Sequence, residues 1–375
     1  MSKKPTLLYV TTRFRTGAIP HIIHDTLPII LDSFKVVICS LEIVDSDCDV
    51  FHKIRNLGVS IIGIDADRRD VLTSMIGLAR LAKQLKPDLI HSHLGRADQI
   101  STLVAKLSHI PVITHFHTPK SNYHPFTRLA YRLTHNLVDL RLSNSHTVDS
   151  SWFPRRDRES HSETDTIRHQ VIYNPVNLGI FHPTHTRPVK TSGETATAIY
   201  VGKLRKPKGQ MRLLDHFSKI REEFPGHRLL LIGDGPDEKK IKKKINSLKL
   251  QSHVTMTGLR EDVPQLLRSA DYFLASPLSE GFSIAHLEAM ATGLPIITSI
   301  TAAMGEYIID NDNALVFKGD DPYSSTGKVK ELFENQNLRN KLRSNGLRIA
   351  EIFNSTNIAQ QLVKYYRLVI RNRGY

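Results

Sequence analysis

Cysteine is nearly absent from this 375-residue chain: only Cys39 and Cys48 occur, in neither a CxxC nor a zinc-finger spacing. A disulfide framework and a cysteine-based metal site are therefore not expected, and a reducing cytosol fits. No run of 18 or more apolar residues exists, so no stretch reads as a membrane-spanning helix. Met1 to Pro5 leads directly into a strand-like run, without the apolar core and cleavage site of a signal peptide. Acidic residues are scarce, 37 against 51 Lys and Arg, which leaves a net charge of +14. An excess of that size points to a polyanion or an anionic membrane surface. Nucleic acid is not the expected partner, because no zinc finger, RRM signature or basic arm with interleaved aromatics is present.

What is present is a repeating pattern of short apolar runs and helical stretches. With 40% apolar content, the chain is too long for one compact domain and suits two of α/β type. Strands are expected over residues 7–12, 35–41, 59–64, 88–91, 112–116 and 140–144, with helices over 19–31 and 71–85. Leu72, Met75, Ile76, Ala79 and Leu85 should share one side of the second helix. The alternation predicts a parallel sheet with right-handed crossovers. Residues 154–170, almost without apolar side chains, read as a mobile loop, and 184–194 as a linker. The pattern then restarts, with strands over 197–201, 227–232, 254–257, 271–275 and 295–298.

Residues 270–295 carry the strongest local signals. A buried strand runs to Ala275, Ser-Pro and Glu-Gly pairs mark a turn, and Ser283 offers an N-cap to a helix ended by Gly293 and Pro295. Glu280 is thus expected at the carboxyl end of a strand just before a helix N-terminus. Ligands of open α/β sheets bind there, and the free N–H groups of a helix start suit a phosphate. Glu288 lies inside the helix, beside an expected core stripe of Ile284, Leu287 and Met290. Earlier, Gly202-Lys203-Leu204-Arg205-Lys206-Pro207-Lys208-Gly209 forms a glycine-bounded basic loop ahead of another helix. This is a phosphate-binding arrangement without the Walker spacing.

Two further groups stand out. His91, His93, His115 and His117 alternate on strand ends, where a His-x-His pair can bind zinc. No Cys or acidic residue is spaced to complete such a site, and no metal is expected. Lys120 to Leu137 is basic and amphipathic: Phe126, Leu129, Leu133 and Leu137 form a stripe, while Arg128, Arg132 and His135 lie together elsewhere. It reads either as a core helix with a solvated face or as a contact with anionic lipid headgroups.

Glu280, seven residues, then Glu288-Ala289-Met290-Ala291-x-Gly293-x-Pro295 resembles the signature of retaining GT-B glycosyltransferases of glycosyltransferase family 4, the glycosyl transferases group 1. Gly281-Phe282, and Ala270-Asp271 with Ser276 before them, belong to the same match. The basic loop is similar to the family's G-R-L-x-x-x-K-G, with Lys203 for the usual Arg, so a bidentate fork is replaced by a point charge. Looser likenesses lie at Lys86–His93, Thr114–Thr118, Val171–Asn177 with Pro175 replacing a Gly, Gly258-Leu259-Arg260, and residues 356–371. Gly17 is followed by Ala18 where family members often carry a second Gly.

The resemblance implies an α/β GT-B fold, two Rossmann-like domains facing across a cleft. Residues 1–185 would form the acceptor-binding domain, 195–355 the donor domain, and 356–375 a helix returning to the first. It implies donor contacts from Gly17, Gly202, Lys203, Lys208, Gly258, Leu259, Glu280, Gly281, Phe282, Ser283 and Glu288. Lys203 and Lys208 would hold the diphosphate, Glu280 the donor-sugar hydroxyls and Glu288 the ribose. Glu280, His117, Lys203 and Lys208 would serve catalysis, with the choice between His115 and His117 open. The implied reaction is transfer of a hexosyl or N-acetylhexosaminyl group from a nucleoside-diphosphate sugar, UDP-linked, to a glycan or lipid-linked glycan. It proceeds without cofactor or metal, in polysaccharide, lipopolysaccharide or O-antigen synthesis. The enzyme is expected in the cytoplasm, peripherally on the inner membrane face if the basic charge serves a membrane rather than the donor. A sugar-nucleotide epimerase, a phosphorylase and a non-catalytic binding module are the alternatives.

Overall fold

A computed structural model describes residues 3–67, 70–93, 95–153, 169–184 and 194–372, without the side chain of His135. The expected mobile loop and linker lie almost wholly outside the described residues. The chain forms two compact units, Met1–Pro175 with Ser355–Tyr375, and Val176–Asn354. Residues 176–184, expected with the first domain, cluster with the second unit.

The first unit runs β1 (Thr6–Thr11), α1 (Ala18–Ser33), β2 (Lys35–Ser40), α2 (Asp49–Asn56), β3 (Ser60–Gly63), α3 (Val71–Leu85), β4 (Leu89–His93), α4 (Gly95–Leu107), β5 (Val112–Phe116), α5 (Pro125–Thr134), β6 (Leu140–Ser143), α6 (His146–Trp152) and β7 (His169–Val171). The second runs β8 (Thr197–Val201), α7 (Gln210–Glu223), β9 (Arg228–Ile232), α8 (Glu238–Ser247), β10 (Val254–Gly258), α9 (Val263–Ser269), β11 (Tyr272–Ala275), α10 (Ile284–Ala291), β12 (Ile296–Thr298), β13 (Leu315–Val316), α11 (Ser324–Glu334) and α12 (Gln336–Ile352). The last helix, α13 (Ser355–Asn372), returns to pack on α1.

The sheets have the orders β3-β2-β1-β4-β5-β6-β7 and β10-β9-β8-β11-β12-β13. Every strand pair is parallel. The winding direction reverses between β1 and β4 in one sheet and between β8 and β11 in the other, which are the crevices where α/β sheets bind ligands. Register is pinned from the opposite edge by one repeated device. Asp88, Asp139 and Asp271, each just before a strand, accept from the first N–H of a neighbouring strand: Thr6 at 2.6 Å, Val112 at 2.8 Å and Thr197 at 2.7 Å. A carboxylate that satisfies an otherwise orphan strand-end donor also fixes which residues pair.

Two helices face otherwise than their periodicity suggested. On α3 the buried residues are Ser74, Leu78, Leu81 and Ala82, while Leu72 and Ile76 are exposed. On α5 the apolar stripe points outward, leaving Phe126 77%, Leu129 51% and Leu133 73% exposed. The reason lies in Tyr131, the one residue of α5 that is buried. Its hydroxyl donates to Asp98 at 2.5 Å, and its ring packs 4.8 Å from both Phe116 and Trp152. Once that aromatic enters the core, the stripe on the other side has nowhere to go but outside. Among the described residues no helix is long and apolar enough to cross a membrane.

Candidate donor site in the second unit

The loop after β8 and the loop after β11 meet because of Gly209. Its φ of 74° lies in the left-handed region, and a Cβ there would sit 1.8 Å from the Ser276 carbonyl oxygen. Only glycine lets the two backbones approach so closely. The contact is extended by Leu278 and Ser279, whose N–H groups both donate to Pro207 O, at 2.9 and 3.0 Å. Arg212, one turn into α7, fastens the same place. It donates to Ser276 Oγ at 2.7 Å, Pro277 O at 2.7 Å and Ser299 Oγ at 3.0 Å.

This clamp puts Lys208 Nζ 2.5 Å from Glu280 Oε2, across 72 residues of sequence. Both side chains are largely shielded, 22% and 13% exposed. The expected phosphate cation and the expected sugar-binding carboxylate are thus each other's partner. Burial first, and Glu280 second, push the Tyr200 and Tyr307 phenols above their usual range, which places the carboxylate among neutral hydroxyls. Lys203, by contrast, is exposed, and among the described residues no ion pair holds it. Gly202 precedes it, with the Gly233 backbone so close that a Cβ there would lie 2.1 Å from Gly202 O.

Gly281, Phe282 and Ser283 lead into α10 and are all buried. Ser283 occupies the N-cap position but caps nothing. Its hydroxyl instead lies 2.7 Å from His286 Nδ1, while His286 Nε2 lies 3.1 Å from Thr298 Oγ1. Thr298 donates to Ser299 O, so it accepts from Nε2–H, and Ser283 donates to Nδ1. Among the described residues Ser283 gives the first helical turn no side-chain cap, which suits its N–H groups to an anion. Burial, and secondarily the Lys208 ammonium, push His286 down to about 3, so it is neutral. Phe282, expected among the donor contacts, turns its ring into a cluster with Tyr307 and Phe353 at 4.8 and 5.2 Å.

The remaining second-unit residues lie around this centre. Gly258 ends β10 with φ 71°, its carbonyl accepting from Gly233 N at 2.8 Å, and the adjacent Leu259 is exposed. Glu288 lies on the part-exposed side of α10 with Ile284 and Ala285, while His286, Leu287, Ala289, Met290 and Ala291 are buried. Ile284, expected on the core stripe, gives its place there to His286. Neither His286 nor Arg212 drew notice in the sequence. A His three residues after a Ser N-cap was the available signal for the first.

In the first unit, Gly17 precedes α1 in an extended conformation that any residue adopts. A Cβ there would meet only Arg15 O at 3.9 Å, so the backbone itself does not demand a glycine. His117 follows β5 and is buried, with Nε2 3.0 Å from His93 Nδ1. Burial pushes it down to about 4, opposed by the Asn174 amide. His115 lies within the strand, next to His91 and His93.

Comparison with known proteins agrees with this layout. The family model "Glycosyltransferase Family 4" matches residues 33–179, and "Glycosyl transferases group 1" matches residues 183–348. Alpha-monoglucosyldiacylglycerol synthase of Acholeplasma laidlawii is 24% identical over 64% of this chain and 65% of its own length. The uncharacterized glycosyltransferase MJ1178 of Methanocaldococcus jannaschii is 29% identical over 52% of each. The chain thus spans about half to two-thirds of the length of these curated relatives. Spore coat protein SA of Bacillus subtilis aligns over 94% of this chain and 95% of its own at 25% identity. Among solved structures, Anabaena HepE in complex with UDP and glucose superposes with a TM-score of 0.79, 17% identity, and coverage of 97% and 100%. With one family model on each unit and a GT-B neighbour over nearly its full length, the chain belongs to the GT-B glycosyltransferases of the family 4, group 1 type.

Proposed function

We propose that this protein transfers a sugar from a UDP-linked donor to a hydroxyl of a glycan or glycolipid, with retention of anomeric configuration. The observation that carries this reading is the meeting of Lys208 and Glu280 at the β8/β11 reversal, beside the uncapped start of α10. Sugar transfer breaks the bond from the anomeric carbon to the diphosphate, and the leaving group gathers negative charge. Preorganised cations and N–H groups stabilise that charge, each worth about 3 kcal/mol. Lys203, Lys208 and the first turn of α10 supply them in place of a metal ion, and no cofactor takes part. Glu280 then offers its second oxygen to a sugar hydroxyl while Lys208 is shared with phosphate. The acceptor oxygen attacks from the face the diphosphate leaves, through an oxocarbenium-like state. Its proton passes to the departing phosphate oxygen, so the products are the glycoside and UDP. No side-chain base is obligatory, and His117, neutral through burial, positions rather than deprotonates.

The acceptor, in this reading, is lipid-borne and the enzyme works peripherally at the cytoplasmic membrane face, in the synthesis of a cell-surface glycan. Two things support that. The exposed apolar stripe of α5 lies in a chain of +14 charge. Two relatives are also named for lipids: the diacylglycerol enzyme above, and the UDP-Gal:alpha-D-GlcNAc-diphosphoundecaprenol alpha-1,3-galactosyltransferase of Escherichia coli, 26% identical over 61% of this chain.

The test is UDP release from UDP-sugars in excess EDTA, with and without a lipid-linked glycan acceptor, followed by NMR of the product's anomeric coupling. Acceptor-dependent release with retained configuration is expected. An inverted product removes the same-face mechanism. Conversion of the donor sugar without acceptor points to an epimerase instead, and tight UDP binding with no turnover to a binding module.

A further inference from the structure

Beside His117, the first unit contains three further buried histidines, His91, His93 and His115. β4 and β5 pair in parallel, Ser92 beside Thr114 and His93 beside His115; β4 carries His91-x-His93, and β5 carries His115 with His117 just after its end. His91, His93 and His115 therefore stack on one face of the sheet, with ring centroids 4.3 Å apart for His91–His93, 5.3 Å for His93–His115 and 5.6 Å for His91–His115. All three are buried. Three imidazoles bring six nitrogens into the buried core, and buried polar atoms normally find partners. Among the described residues two of them have close ones: His91 Nδ1 lies 2.7 Å from the Tyr366 hydroxyl, and His93 Nδ1 lies 3.0 Å from His117 Nε2. Among the described residues, His91 Nε2, His93 Nε2 and both His115 nitrogens lack a hydrogen bond of good geometry, His115 having a weaker approach to the Ile172 backbone.

One protonation pattern that this network allows suits a cation. A neutral imidazole has one N–H and one lone pair. With His91 Nδ1–H donating to Tyr366 and His93 Nδ1–H to His117, each presents Nε2 as a bare lone pair. Lone pairs crowded in an apolar cavity repel one another, and a cation removes that repulsion. Ligand-capable nitrogens of all three residues lie within 4.8 Å of one another. They line a cavity of about 10 Å³, shared with Tyr9 and Asn174. That is room for one atom or one water, not for a larger ligand.

We propose that His91, His93 and His115 bind one d-block divalent cation, Zn²⁺ being the fitting member. Neutral imidazoles favour such ions over Mg²⁺ or Ca²⁺, which take oxygen ligands. Zn–N bonds of about 2.0–2.1 Å require nitrogens about 3.4 Å apart, so the rings swing inward by about 1 Å on binding. Tyr366 is the outer partner that fixes the His91 tautomer. Because Tyr366 belongs to α13 and also meets Tyr9 at 2.7 Å, the ion ties the returning helix to β1 and β4. The site is structural; it adjoins His117 through His93, but it stands whether or not the proposed transfer reaction does.

Full-length protein without a polyhistidine tag, grown with zinc, is dialysed and its metal measured by mass spectrometry. About one zinc per chain is expected in wild type, with a loss of at least tenfold in His115→Gln. Tyr366→Phe removes the outer hydrogen-bond partner of His91, and with it the hydroxyl contact to Tyr9, keeps the ring, and should weaken zinc affinity about 10–100-fold. Loading with Co²⁺ should give the visible d–d bands of a low-coordinate nitrogen site in wild type, a readout independent of whether His115→Gln folds. Wild type that carries no zinc and gives no cobalt bands would mean that the cavity holds water only, and the proposal falls. It falls equally if zinc binds but neither folded variant changes its affinity.

Discussion

Lys208 is already engaged by Glu280, so its replacement does more than delete a charge. Lys208→Ala should leave a shielded carboxylate facing the phosphate position, adding repulsion to the lost attraction. UDP affinity should fall about 100-fold, roughly 3 kcal/mol, by calorimetry. Adding Glu280→Gln to it should recover part of the loss, and Lys203→Arg should bind as well as wild type or better. Unchanged affinity in Lys208→Ala would remove Lys208 from the site. His286 makes a second residue-scale case. Its folded value of about 3 lies below its unfolded 6.5, so the unfolded chain takes up the proton first. Its contribution is complete above about pH 6.5 and is lost as pH falls toward 3. Between pH 6.5 and 5 that amounts to about 2 kcal/mol, at about 1.4 kcal/mol per pH unit. In His286→Gln the slope should flatten by that amount, measured by urea-dependent hydrogen exchange of second-unit peptides. The sequence displayed Lys208 and Glu280 as separate signals but could not show them paired. Contacts spanning 72 residues have no local trace, and the same holds for Arg212, whose partners lie 64 to 87 residues on.

At the scale of elements, strands and helix identities were legible where periodicity and turn residues agreed, as for β5, β8 and α3. Which side of a helix faces inward was less so. The apolar stripes of α3 and α5 obey helical spacing, yet burial follows Ser74, Leu78, Leu81 and Ala82 on one and Tyr131 on the other. An amphipathic pattern tells that a helix has two sides, while a single hydrogen-bonded tyrosine can decide between them. For α5 the outcome bears on the proposed lipid contact. Phe126, Leu129 and Leu133 are outside, with Arg132 exposed on the same helix. Arg128, expected to join it, instead donates to the carbonyls of Tyr123 and Ser121 at 2.8 and 2.9 Å, so it braces the preceding turn. Wild type should sediment with anionic vesicles at low salt, and less with neutral ones. Each basic residue near such a surface contributes about 1 kcal/mol, and each inserted apolar side chain about 1.5–3 kcal/mol. Phe126→Ser with Leu133→Ser should therefore lower partitioning more than Arg132→Glu does. If the apolar pair changes nothing, α5 is not the lipid contact; if wild type never sediments, a soluble acceptor is the better reading.

For the whole molecule, the doubly wound pattern and its restart after residue 196 were readable because parallel strands write themselves as short apolar runs between helices. What the pattern left open was where each sheet reverses, and the reversal at β8 and β11 is what brings the two loops together. Their contact through Gly209 also bears on how this protein can change over time. The cations of the loop are interchangeable within limits, as Lys203 in an arginine position illustrates. The glycine is not, because the smallest side chain would occupy the space of the Ser276 carbonyl. In a saturation library selected for activity, positions 205 and 206 should accept several residues and 203 only Lys or Arg, while 209 should accept nothing but glycine. A tolerant 209 would mean that the loops part more easily than their close approach implies. Adaptation to a new donor would then have to run through the exposed side chains around an immovable hinge of backbone, altering what is grasped without altering how the two halves of the sheet hold hands.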